Sequence, residues 1–205
     1  MAKINNLEQK EKKNNRINNI KSLFTFFIVI FVLASLGNVS RGINNNELNL
    51  FENLEWQTYN LDKLFIDIPF KLNNTSDNIP VGLENIVTEY EYIEFINNGD
   101  IFLLLTFMRN HDYLASNLRG AYQALLTDLK NNDNFNEHKE NYRLNGRDGL
   151  EFEFVYDLNN NTIRHDGIIL IHGSKAWFLQ FIYPKENQEI IEIKNEIFNS
   201  LRFYD

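Results

Sequence analysis

The sequence predicts an α+β domain, an antiparallel β-sheet packed with two amphipathic helices, preceded by one N-terminal transmembrane helix. Three observations carry that reading. Several runs alternate apolar and polar residues with period two, two runs repeat apolar residues every three or four positions, and an uncharged apolar stretch follows a basic leader. With 205 residues, 43% of them hydrophobic and 23% charged, the chain has room for a single packed domain and one appendage.

The leader comes first. Lys3, Lys10, Lys12, Lys13, Arg16 and Lys21 stand against Glu8 and Glu11, so residues 1–21 carry +4 while the total is −8 and the remainder therefore carries −12. Residues 22–39 follow without a charge, from Ser22-Leu-Phe-Thr-Phe-Phe to Gly37-Asn-Val39. This run lies between the core of a signal peptide and the roughly 20 apolar residues of a spanning helix. The long polar leader favours a retained signal-anchor. The alternative is cleavage between Gly37 and Asn38, where Ser35 and Gly37 are small but no Ala-x-Ala pattern exists. In either case the basic flank stays cytoplasmic. The expected organisation is a cytoplasmic leader over 1–21, the anchor over 22–39, a linker over 40–47 and an exported domain over 48–205. The expected place is the cell inner membrane or plasma membrane, crossed once.

Within the domain, strands are expected at Trp56–Tyr59, at Leu64-Phe-Ile-Asp-Ile-Pro69, and at Ile86–Ile96 and Ile101–Met108, the last two forming a hairpin through Asn97-Asn-Gly-Asp100. Leu114, Leu118, Ala121, Leu125 and Leu129 then recur at helical spacing, which predicts an amphipathic helix over 112–131 with Asp112 as its N-cap. Asn136–Leu144 should turn through Asn145-Gly146 into Leu150–Tyr156, because Asn-Gly suits a two-residue hairpin turn. In that second strand Leu150, Phe152, Phe154 and Tyr156 alternate with Glu151 and Glu153. Ile163–His172 and Ala176–Tyr183 continue the meander, and a second helix runs from about Lys185 to Asn199. Trp177–Tyr183 is apolar on both faces except for Gln180, as a central strand would be. Asparagine clusters at 44–46, 73–74, 97–98, 131–132 and 159–161 are expected to mark turns. The sequons at Asn38, Asn73, Asn74 and Asn160 matter only in a host that glycosylates exported proteins.

The order of these elements resembles the PsbP-like fold, shared by photosystem II extrinsic proteins, DcrB-type bacterial envelope lipoproteins and a eukaryotic Ran-binding protein. The residues behind the resemblance are Phe65-Ile-Asp-Ile-Pro69, the Gly-containing pair Tyr142-Arg-Leu-Asn-Gly-Arg-Asp-Gly-Leu-Glu-Phe-Glu-Phe154, and the closing Ile197-Phe-Asn-Ser-Leu-Arg-Phe203 after a Trp-bearing strand. The resemblance spans residues 50 to 205 and implies a small binding or assembly factor, not an enzyme. No lipobox cysteine is present, and no residue can be carried over as a manganese or calcium ligand.

Several chemistries are excluded or unsupported by the residues. There is no cysteine, hence no disulfide, thiolate metal site or cysteine nucleophile. His111, His138, His165 and His172 show no zinc spacing, and parity sends His165 and His172 to opposite sheet faces. No phosphate-binding glycine loop exists, Ser174 and Ser200 have no hydrolase elbow or local base, and a domain at −12 repels nucleic acid. Glu151 and Glu153, with side-chain origins about 7 Å apart on one strand face, could form a carboxylate pair; a solvated strand face is the simpler reading. Tyr90, Tyr92 and Phe95 could line an aromatic pocket or simply pack the core.

No catalytic residue, metal ligand or cofactor is therefore assigned. The expectation is a membrane-anchored extracytoplasmic module that binds an envelope protein or complex. The alternative is a small-ligand or cation site between helix and sheet using Glu151, Glu153 or His165. A hydrolase whose active site is dispersed along the chain is the third reading.

Overall fold

The computed structural model describes residues 55–71, 73–76, 79, 83–97, 101–111, 116–158, 161–185 and 187–204. The leader, the apolar segment 22–39, the linker and the first residues of the expected domain lie outside these. Among the described residues no helix is long and apolar enough to cross a membrane.

The strands are β1 (Gln57–Leu61), β2 (Leu64–Ile68), β3 (Asn73–Ser76), β4 (Val87–Asn97), β5 (Ile101–Asn110), β6 (Asp133–Leu144), β7 (Arg147–Leu158), β8 (Asn161–His172), β9 (Lys175–Pro184) and β10 (Arg202–Phe203). The helices are α1 (Leu118–Leu129) and α2 (Gln188–Asn199). Seven strands form one antiparallel sheet in the order β3-β4-β5-β9-β8-β7-β6. β9 is thus the middle strand, as its two apolar faces require: Ala176, Phe178 and Ile182 point to one side, and Trp177, Leu179, Phe181 and Tyr183 to the other.

Each side of the sheet has its own cover. α1 lays Ala121, Tyr122, Leu125 and Leu129 on Phe152, Phe154 and Phe178. α2 lays Ile190, Ile193, Ile197 and Phe198 on the opposite face, where each buried side chain contributes about 1.5 to 3 kcal/mol of transfer free energy. Asn187 starts α2, its carboxamide oxygen accepting the Ile190 N–H at 3.1 Å.

The first expected strands do not join the main sheet. β1, β2 and β10 form a separate three-stranded sheet with β2 in the middle, on the α2 side of the molecule. The buried Trp177 indole N–H donates to the Leu61 carbonyl at 2.9 Å and ties the two sheets together. The β1–β2 turn places Asp62 and Lys63 at positive φ, 43° and 71°. That strained turn is held from outside, because Asp62 reaches Lys175 at 2.6 Å and Arg109 at 3.4 Å.

Other boundaries shift for local reasons. α1 begins at Leu118, not 112, and Asn117 serves as its cap by accepting the Gly120 N–H at 3.2 Å; Asp112 and Leu114 lie outside the described residues. It stops at Leu129, whose carbonyl accepts the Asn132 carboxamide at 3.0 Å. Asn73 and Asn74 belong to the edge strand β3, paired with Ile93 and Glu94 of β4, and not to a turn. Asn145 and Gly146 do form the two-residue turn, both at positive φ (49° and 78°).

Candidate functional site

Alternation along β8 delivers polar side chains to both faces of the main sheet. Arg164 and Asp166 face α2, and His165 between them faces α1.

On the α2 side Asp166 is 3% exposed and meets three partners. Arg164 Nε donates to both carboxylate oxygens at 3.0 and 3.1 Å, the Tyr183 hydroxyl donates at 2.8 Å, and the Lys194 ammonium of α2 lies at 3.2 Å. Arg164 also reaches Glu153 at 2.6 Å. Burial, reinforced by Asp166, raises the Tyr183 hydroxyl well above the usual tyrosine range. Glu151, on the same face, is raised chiefly by burial; Lys194 and His138 oppose that, whereas Glu140 across the β6–β7 pair and Asp166 add to it. Both oxygens of Asp166 are engaged by these internal partners. The cluster fastens α2 to the sheet.

On the α1 side His165 is fully buried, with the Phe152 and Phe154 rings edge-on at 5.5 and 5.6 Å. Its Nε2 lies 3.2 Å from Gln180 Oε1, while His165 Nδ1 and the buried Tyr156 hydroxyl have no partner among the described residues. Burial pushes the imidazole down to about 4, so it is neutral near pH 7, and the Gln180 oxygen then makes Nε2–H the donor. An unfolded histidine titrates near 6.5. Between these values only the unfolded chain takes up the proton, so this contribution to stability is intact above about pH 6.5 and is lost as pH falls towards 4. His165→Leu is expected to flatten the pH dependence of the urea midpoint in that window. An unchanged slope would show that His165 is not the buried neutral group.

The structure therefore separates the candidates read from sequence. Glu151 and Glu153 face α2 and His165 faces α1, so the three do not form one cluster. His172 lies exposed at the end of β8, on the face opposite His165, and His138 is exposed on β6. Tyr90 and Tyr92 pack into the α1-side core, while Phe95 stacks on Phe70 at 4.2 Å on the other side; no common aromatic pocket exists. Ser174 sits in the β8–β9 turn. Among the described residues no three His, Asp or Glu side chains are placed to hold a metal ion together.

A concave surface does exist where the chain enters the small sheet. Trp56, Thr58, Asp67, Glu196 and Ser200 line an open cleft of about 470 Å³. Asp67 accepts Thr58 Oγ1 at 2.6 Å and a two-pronged contact from Arg202, at 2.8 and 2.9 Å. Arg202, then Thr58, hold its carboxyl below the usual range. Ser200 ends α2: its hydroxyl donates to the Ile197 carbonyl at 2.7 Å and accepts the Asp67 N–H at 2.9 Å. Trp56 and Tyr204, 41% and 58% exposed, are the large hydrophobic residues left exposed among those described. Sequence reading missed this cleft, together with Lys194 and Tyr183. The available signal was Asp67, an outward-facing charge within an otherwise apolar strand.

No protein-family model matches the chain, and no curated protein matches it. Solved structures do. Cyanobacterial PsbP from Synechocystis sp. PCC 6803 is similar over 78% of this chain and 99% of its own, at 9% identity and a TM-score of 0.51. LpqN, involved in cell envelope biogenesis of Mycobacterium tuberculosis, covers 80% of this chain and 100% of its own, at 12% identity and a TM-score of 0.46. The fold of the domain is PsbP-like.

Proposed function

We propose that this chain is a non-enzymatic, membrane-anchored extracytoplasmic module that docks on an envelope protein or complex. One observation carries the reading: the buried charges of the sheet are spent on internal partners, whereas the open cleft is walled by an exposed tryptophan and flanked by an exposed tyrosine and an arginine. Trp, Tyr and Arg are the residue types that dominate binding energy at protein interfaces. The basic leader and the apolar segment 22–39 supply the anchor and set the domain outside the cytoplasm. A fold shared by unrelated activities leaves function to the site, and this site lacks a nucleophile paired with a base.

The test is a mild-detergent pull-down of the C-terminally tagged full-length protein from native membranes, beside an otherwise identical protein lacking residues 1–40. A discrete partner set captured with the full-length form is the expected result. If both forms come down alone, the docking reading fails.

A further inference from the structure

We propose that the cleft beside Trp56 receives a basic side chain, arginine or lysine, of a partner polypeptide. This rests on the docking reading above and specifies the chemistry of the contact.

Three features converge on a cation. Trp56 lines the cleft and is 41% exposed, and indole is the aromatic ring with the strongest attraction for a cation. Glu196 lies exposed in the last turn of α2, which carries no basic residue of its own. Arg202, the cation that flanks the cleft, is already engaged: both terminal nitrogens bind Asp67, one also donates to the Ser200 carbonyl, and Nε donates to the Tyr204 hydroxyl. Asp67 and the end of α2 are thereby answered, whereas exposed Glu196 forms no ion pair among the described residues. An anion would meet Glu196 unfavourably. A metal ion would want several charged ligands together, and among the described residues no three His, Asp or Glu side chains are so placed. A guanidinium or ammonium group needs only a carboxylate and an aromatic face. The −12 carried by residues 22–205 would steer such a partner inwards.

The chain has two tryptophans, so an ¹⁵N spectrum of the full-length protein in detergent gives two indole signals, with buried Trp177 as the internal reference. Titration with acetyl-Gly-Gly-Arg-Gly-Gly-amide is expected to shift the Trp56 signal saturably, and the Glu and Leu analogues are not. Glu196→Gln should weaken the arginine peptide by about threefold or more, while Glu192→Gln, which removes the same charge from an exposed position on the same helix, should leave it nearly unchanged. An equal response to the leucine peptide, equal weakening by both variants, or no saturable shift overturns the proposal. The two readings fail separately. A Trp56→Ala protein that still captures the full partner set from membranes removes the cleft from the contact and leaves the docking function standing.

Discussion

Gly167→Ala is expected to destabilise the domain by about 3 kcal/mol, the upper end of what overpacking costs. Gly167 lies within β8, paired with Phe152 of β7 and Gln180 of β9. A methyl group there would overlap the Phe152 ring and come within 2.7 Å of the Leu179 carbonyl oxygen. A ring tip can often swing aside. This one is enclosed by Phe154 at 4.8 Å, His165 at 5.5 Å and Tyr122 at 6.3 Å, and the carbonyl belongs to the central strand. The aromatic ring is covering backbone that the glycine leaves bare, a known device of β-sheets. Gly120 supplies the contrast. In α1 its nearest neighbour to an added methyl is Asn117 Cγ at 3.6 Å, so Gly120→Ala should raise stability by about 0.5 to 1 kcal/mol. Urea midpoints of the two variants should move in opposite directions. A loss below about 1 kcal/mol for Gly167→Ala would mean that the ring does not press on β8 as described.

The parts of the fold legible in sequence are those governed by local periodicity and turn chemistry. The alternation of Leu150 to Tyr156 gave the buried face of β7, Asn145-Gly146 gave its hairpin, and two-sided hydrophobicity made β9 the middle strand. What was not legible depends on contacts distant in sequence. Phe65-Ile-Asp-Ile reads as an ordinary strand, and only its pairing with Arg202-Phe203, 137 residues later, puts it in a second sheet. The cleft has the same origin, because Trp56, Asp67 and Glu196 meet only when that sheet packs beside the end of α2. Asn73-Asn74 misled for another reason: asparagine favours turns, but an edge strand with an irregular register accommodates it. Parity along β8 alone separates His165 from His172, because it needs only the strand. It also separates His165 from Glu151 and Glu153, once the pairing of β7 with β8 fixes which faces coincide.

Asp166→Ala should cost about 3 to 5 kcal/mol, more than Lys194→Met, although the two residues form one buried ion pair. The asymmetry follows from how many partners each loss strands. Asp166 answers Arg164, Tyr183 and Lys194 together, and its removal leaves Lys194, whose side chain is only 8% exposed, without its carboxylate. Removing Lys194 leaves Asp166 with the Arg164 Nε–H and the Tyr183 hydroxyl, and methionine fills the space over the Ile-rich face of α2. Desolvating two charges is expensive, so the pair is weak evidence for stability in itself. Its value is positional. Ile190, Ile193 and Ile197 would bury equally well after a small slide of the helix, but only one placement brings the Lys194 ammonium to Asp166. If that is its role, the double variant Asp166→Leu/Lys194→Met should recover most of the loss in Asp166→Ala while the α2 amides exchange faster with solvent. Recovery of stability with unchanged exchange would show that apolar packing alone sets where α2 sits. Failure of the double variant to recover would show that the remaining Arg164 charge, left with Glu153, dominates the cost.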